Sequence, residues 1–249
     1  MIPYKCNTGG SVVWAHKLDG FHKRSHIPAM QRCFLLVLTT AWRTTSTEAL
    51  QVLAGVLPLD LDIIRSVGHW HIKRGLQFSH GDLRVEPLPD DCANDLRHYL
   101  TAQRIKFLDQ ELLRVWQERW DRSTKGRTTY AWMPQTKLAT KRERWRDHGR
   151  SVTCFITGHG PFNERLQQLG LSETDSCACG ETESWEHVML DCPLYDEFRR
   201  ELVRGVGGAG MIVDLAGLLA QGKERYERLV MFASRVFGLR NGLEGPVDF

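Results

Sequence analysis

What this chain most plainly lacks is a long apolar run. Its longest aliphatic or aromatic stretch, Phe34 to Leu38, falls far short of the roughly 20 residues that a bilayer-spanning helix needs. No membrane partner is expected. The first residues show no basic start followed by a long apolar middle, the pattern of a secretory leader. Charge of one sign is scarce too, because the 249 residues carry a formal net charge of only +3. Any nucleic-acid surface must therefore come from local clustering. There is no aromatic-x-Asp-Asp turn of the kind that holds paired divalent ions. Asp90-Asp91 sits instead in the Pro-rich loop Leu88-Pro89-Asp90-Asp91. No β-rich stretch carries spaced carboxylates, and there is no internal repeat or low-complexity tract. Apolar content of 42% and charged content of 25% are those of an ordinary globular chain with material for a core.

Cysteine is present in an odd number, seven, which suits a reducing compartment better than a disulfide framework. Three of the seven lie within sixteen residues, in Cys177-Ala-Cys179-Gly180 and Cys192-Pro193, with His187 between them. By proportion such a window should hold roughly half a cysteine, so chance is a poor explanation. Cys177 and Cys179 are too close in sequence to bridge comfortably, and pairing either with Cys192 leaves a thiol over. Unpaired buried thiols are the remaining alternative. The spacing C-x-C-x7-H-x4-C predicts a tetrahedral Zn²⁺ site with Cys177, Cys179, His187 and Cys192 as ligands. Four protein ligands leave no position for a catalytic water, so the zinc is expected to be structural.

Elsewhere the pattern is helical. Phe34, Val37, Leu38 and Trp42 recur at helix spacing after Pro28. Thr45-Ser46-Thr47-Glu48 reads as a capping box, and Gly55 as a left-handed cap ahead of Pro58. A further helix follows through Leu61, Ile64 and Val67. Ser79 to Asp91 reads as a surface loop. Ala93 to about Trp120 is the longest periodic stretch, with Leu96, Leu100, Ile105, Leu108, Leu112, Val115 and Trp116 on one face. Two short helices broken at Gly158-His159-Gly160 precede the cysteine cluster. Leu194, Phe198 and Leu202 continue a helix out of it. Helices around Met211–Leu219 and Glu224–Leu239 close the chain. Cys6 with His16, His22 and His26, and the His69-Trp70-His71 triplet with His80, lack the spacing of metal sites. His159 beside Cys154 has no third group to orient it as a catalytic pair.

Between Arg104 and Arg150 thirteen Lys/Arg stand against six Asp/Glu, interleaved with Trp116, Trp120, Tyr130, Trp132 and Trp145. Basic charge beside exposed rings would track phosphates and stack bases. Alternatively the tryptophans face a core that the arginine stems cover. Lys125, Arg127, Lys141, Arg142, Arg144, Trp145 and Arg146 are the candidate nucleic-acid contacts on the first reading.

Two stretches are similar to one family. Gln31-Arg32, Trp42 through Leu50 and Ala54 through Asp60 resemble the segment after the reverse-transcriptase domain of non-LTR retrotransposon polyproteins. The type-1 elements that insert into insect ribosomal RNA genes are the nearest in wording. Thr157 through Phe162, then the Cys177–Cys192 run, resemble the C-terminal region of the same polyproteins, and the four proposed ligands match that family's CCHC positions. The resemblance implies a mostly α fold: a helical thumb or connector followed by a small CCHC zinc-knuckle subdomain with flanking helices. The expected divisions are a connector over 1–90, a long helix and basic aromatic segment over 91–150, and the knuckle with C-terminal helices over 151–249. It also implies upstream reverse-transcriptase and endonuclease domains, and an RNA template and target DNA as partners. Mg²⁺ would serve only in the upstream polymerase, and the parent would work in the nucleus. The polymerase and nuclease carboxylates are absent from this segment, and a non-enzymatic scaffold or a decayed element copy is the rival expectation. The C-x-C-x7-H-x4-C spacing departs from the retroviral nucleocapsid pattern.

Overall fold

The computed structural model describes residues 26–89, 91, 93–137, 149–204, 214–220 and 222–244. In chain order its helices are α1 (His26–Thr39), α2 (Thr47–Ala54), α3 (Leu59–Lys73), α4 (Asn94–Arg122), α5 (Arg127–Trp132), α6 (Arg150–Thr157), α7 (Asn163–Gln168), α8 (Asp196–Val203), α9 (Leu215–Ala220) and α10 (Lys223–Glu244). Strands β1 (Phe78–His80) and β2 (Leu83–Val85) lie between α3 and α4. A π turn (His187–Asp191) and a 3-10 turn (Pro193–Tyr195) lie between α7 and α8. The fold is mostly α, as expected. The chain divides into two compact units, residues 1–33 with 56–122, and residues 34–55 with 123–249.

In the first unit, α3 starts after Pro58, with Asp60 and Asp62 in its first turn and His71 and Lys73 in its last. That order matches the helix dipole. Buried Gln31 fixes the start: its Nε2 donates to Leu57 O at 2.8 Å and its Oε1 accepts from Leu59 N at 3.1 Å. Leu61, Ile64 and Val67 are buried, and α3 packs on α4. Gly68 permits a close approach, because a Cβ there would overlap Leu108 Cδ2. Two polar ties join the helices, buried Asp60 to Arg119 at 2.6 Å and His69 Nε2 to Asp109 Oδ1 at 2.8 Å. The apolar face expected along all of α4 is covered only from Leu108 through Leu112, Trp116 and Trp120. Leu96, Tyr99 and Phe107 are exposed.

The stretch expected to be a loop from Ser79 begins in a hairpin instead. Phe78 pairs with Val85, Ser79 with Arg84 and His80 with Leu83, around Gly81 at φ +57°. Phe78 and Val85 are both buried, which is what anchors so short a ribbon.

In the second unit, Ser46 caps α2, accepting from Ala49 N at 3.2 Å, and Gly55 ends it at φ +64°. The cap therefore sits one residue later than the expected box. Thr45 N donates to Trp42 O at 2.9 Å and so belongs to the preceding turn. Helix α6 is buried from Val152 through Thr157. Its hydroxyls are satisfied by carbonyls, Thr153 Oγ1 by Thr39 O at 3.2 Å and Thr157 Oγ1 by Thr153 O at 2.8 Å. Phe155, Phe162, Phe232 and Phe237 cluster with contacting ring centroids 5.5 to 5.9 Å apart. Helix α10 packs on α6, α8 and α9. Trp132, like Trp116 and Trp120, is buried. For these three tryptophans the core reading holds over base stacking, since a ring sealed from solvent cannot receive a base.

Candidate metal centre

The donor atoms of Cys177, Cys179, His187 and Cys192 all lie within 4.8 Å of one another. Cys177 Sγ and Cys192 Sγ are 3.6 Å apart, and Cys179 Sγ is 3.2 Å from His187 Nε2. A sulfur pair at that distance is not a disulfide, and the three thiols are free. Metal–sulfur bonds of about 2.3 Å in a tetrahedron put the sulfurs about 3.8 Å apart. The cluster is therefore the size that one four-coordinate ion requires.

Each of the four donors is placed by local backbone geometry. Cys177 N donates to Glu181 O at 2.7 Å and Gly180 N to Cys177 O at 2.8 Å, closing a turn that needs Gly180 at φ +99°. A bridge between Ser176 and Thr182 shuts the base of this turn. Ser184 starts the second half, its Oγ accepting from His187 N at 3.0 Å. His187 and Cys192 are five residues apart, which on a regular α-helix separates side chains by about 140°. The chain adopts a π turn instead, with Cys192 N donating to His187 O at 2.7 Å. That widened turn brings both donors to one point.

Electrostatics of the bare cluster point the same way. Burial pushes the Cys192 thiol up to about 12 and also raises Cys177. Hydrogen bonding from the Glu181 backbone lowers Cys179. Buried thiols resist ionising without a counter-charge, and a bound dication would supply one.

Two buried arginines hold the site, and sequence reasoning missed both. Arg199 of α8 donates to Val188 O at 3.2 Å and to Cys192 O, and pairs with Asp196. It thus ties carbonyls of the π turn to the helix that follows. Arg240 of α10 pairs with Glu183 through Nε and Oε1 at 2.9 Å, with side-chain exposures of 6% and 2%. It also donates to Pro161 O and to Asn163 Oδ1 at 3.3 Å. Glu183 Oε2 accepts from Asn163 N at 2.9 Å, while Asn163 Nδ2 donates to Ser176 O at 2.9 Å. In sequence these residues read as ordinary surface charge.

Of the candidate nucleic-acid contacts, Lys141, Arg142, Arg144, Trp145 and Arg146 lie outside the described residues, as do Cys6, His16 and His22. Lys125 and Arg127 are exposed at the start of α5. Arg127 lies over the Tyr130 ring at 3.7 Å and donates to Ser123 O at 3.0 Å. His71 Nδ1 meets Gln77 O at 3.0 Å, and His159 Nδ1 meets Thr157 O at 2.8 Å. Burial raises the Cys154 thiol to about 11, so it is a poor nucleophile. Among the described residues no helix is long and apolar enough to cross a membrane.

Fold and site together define a helical protein with a knuckle-type Cys3His centre able to hold one metal ion. The chain is homologous to a C-terminal segment of the polyproteins of R1 type-1 retrotransposable elements. It is 32% identical over 244 residues to the Retrovirus-related Pol polyprotein from type-1 retrotransposable element R1 of Bradysia coprophila, a match covering 96% of this chain and 23% of that protein. Identity is 33% over 240 residues to the Putative 115 kDa protein in type-1 retrotransposable element R1DM of Drosophila melanogaster, with the same two shares, 96% and 23%. The Retrovirus-related Pol polyprotein from type-1 retrotransposable element R1 2 of Nasonia vitripennis is 31% identical over 233 residues, covering 92% of this chain and 54% of its own length. The chain thus spans between 23% and 54% of the length of these three relatives. No family model and no solved structure matches it.

Proposed function

We propose that this chain is a zinc-stapled, nucleic-acid-holding segment of a larger reverse-transcriptase polyprotein, which backs the polymerase thumb and does not itself carry out polymerisation. The supporting observation is the closed Cys3His cluster, braced by Arg199 and by the Glu183–Arg240 pair, in a chain homologous to retrotransposon polyproteins. Soft thiolate and imidazole donors select Zn²⁺, and with all four positions taken the ion acts as a clamp. Mg²⁺ would belong to the upstream polymerase, whose carboxylates this chain lacks. RNA template and target DNA are the proposed partners, and the nucleus the proposed place of work. The basic segment containing Lys125, Arg127, Lys141, Arg142, Arg144, Trp145 and Arg146 would supply phosphate contacts. Burial of Trp116, Trp120 and Trp132 favours a second reading, a scaffold whose zinc only folds the chain.

The test is the salt dependence of binding to single-stranded oligonucleotides by zinc-loaded protein. Replacing Arg142, Arg144 and Arg146 together with Ala should flatten the slope by about two to three units. A triple variant with an unchanged slope leaves the scaffold reading standing.

A further inference from the structure

The knuckle borders a groove of about 520 Å³ that neither the metal cluster nor the helix packing uses. That is within the usual size range of ligand sites. Its walls come from the turn after α6, from α7, and from the residues just ahead of His187. Half-buried Trp185 forms one wall. Gly158, at φ +68°, seats it: a Cβ there would stand 3.1 Å from Trp185 Cδ1. Two carboxylates reach the lining from different elements, Glu164 from the first turn of α7 and Glu186 from the position after Trp185. Among the described residues neither carboxylate has an ion pair or a side-chain hydrogen bond. His159 adds a further acceptor. Its Nδ1 lies 2.8 Å from Thr157 O, so in the neutral ring Nδ1 carries the proton and Nε2 keeps a free lone pair. Arg165, the cation of the lining, is already engaged. Its Nη1 donates to Gln168 Oε1 at 2.8 Å, and its Nε is buried away from the groove.

Two carboxylates against one guanidinium oppose a phosphate or any other anion. Spacing opposes a metal ion: among the described residues the Cys3His donors converge closely enough to hold one, and His159, Glu164 and Glu186 do not. The occupant that remains is an organic cation, wide enough to bridge separated acceptors and flat enough to lie on an indole. A guanidinium meets both conditions, being planar, permanently charged and furnished with five N–H donors in one plane. An ammonium is a compact point charge that holds its water more tightly. The chain already makes this pairing elsewhere, with Arg74 over the Trp70 ring 4.0 Å from its centroid. Glu186 is exposed, so a side chain can enter the groove while its own backbone stays outside. We infer that the groove takes an arginine side chain of a protein partner, its guanidinium stacked on Trp185 and paired with Glu164 and Glu186. Such a contact needs no nucleic acid and goes beyond the nucleic-acid reading above.

The test uses the full zinc-loaded chain, isotope-labelled for nuclear magnetic resonance, and capped pentapeptides with arginine, lysine or citrulline between glycines. Backbone amide shifts of Gly158, His159 and Glu186 report binding. The arginine peptide should shift them saturably. Citrulline, which keeps the shape and loses the charge, should bind about tenfold or more weakly, and lysine about three- to tenfold more weakly. Glu164→Gln and Glu186→Gln should each weaken the arginine peptide about threefold, and together they should remove its advantage over citrulline. Trp185→Ala should abolish binding, whereas Trp185→Phe, which keeps a ring, should retain part of it. Zinc stoichiometry and circular dichroism separate these effects from misfolding. Equal binding of the arginine and citrulline peptides overturns the pocket, as does an arginine preference that survives the double glutamine variant. The absence of a shift with any peptide at millimolar concentration also overturns it. Single-stranded oligouridine that shifts the same amides when no peptide does would give the groove to an anionic ligand and overturn the inference as well.

Discussion

Replacing Glu183 with glutamine breaks the buried ion pair: the amide oxygen keeps an acceptor for Asn163 N, while the charge is lost and a donor NH₂ stands where Oε1 accepted from Arg240. Arg240 would then sit 5% exposed with no carboxylate, and breaking one side of a buried pair costs about 3–5 kcal/mol. With a urea slope of about 2 kcal/mol per molar, the unfolding midpoint should fall by about 1.5–2.5 M. Zinc must be held in constant excess, since bound metal shifts apparent stability by mass action. The second arm is Glu183→Gln with Arg240→Met, which removes both charges and fills the space of the guanidinium stem. That double variant should recover most of the loss, because two neutral partners carry no uncompensated charge. A cost under about 1 kcal/mol for Glu183→Gln, or a double variant as unstable as the sum of the two single changes, would refute the claim that this pair braces the Cys3His site.

Gly68→Ala should destabilise the first unit by about 1–3 kcal/mol, because the new methyl group meets Leu108 Cδ2; adding Leu108→Ala should give less than the additive loss in urea unfolding. The Cys154 thiol, raised from 9.0 to about 11 by burial, favours the fold at any pH below 9. That contribution is lost as pH rises through 11, and on the order of 2 kcal/mol should disappear across the window. Cys154→Ala should remove this alkaline limb when unfolding midpoints at pH 8 and pH 10.5 are compared. His187→Ala, or chelation of wild-type protein, should release one zinc per chain by native mass spectrometry and expose Cys177–Arg200 to proteolysis; absence of zinc from freshly purified, reduced protein would sink the structural-zinc proposal.

Most of the helices were legible because their apolar spacing and end signals agree. Gly55 after Leu53, and Leu61, Ile64 and Val67 after Pro58, are local statements that tertiary packing had only to confirm. The Cys177, Cys179, His187 and Cys192 cluster was legible for a similar reason: donor chemistry and spacing lie within sixteen residues of sequence. The hairpin at Phe78–Val85 was not read, although Gly81-Asp82 between two apolar-alternating triplets is a turn signal. Three residues are too few for alternation to stand out. Exposed Leu96 was read on the same face as buried Leu108 and Leu112, and periodicity alone does not say where covering stops. Arg199 and Arg240 were invisible for a deeper reason. A buried arginine and a solvated one are the same letter, and the carbonyls they satisfy leave no trace in side-chain pattern.

The bracing of the knuckle also implies an order of assembly. Cys177 and Cys192 are 15 residues apart, so on the zinc proposal metal capture would close a short loop. Arg240 reaches Pro161 across 79 residues, which raises the closure entropy by about 1.5 kcal/mol over the shorter loop. On a ribosome, which emits the chain from its first residue onward, all four donors have been synthesised before the arginine that locks them down. On the zinc proposal the nascent knuckle would load its ion while α10 is still unmade, and the late-arriving helix would then dock on a finished surface.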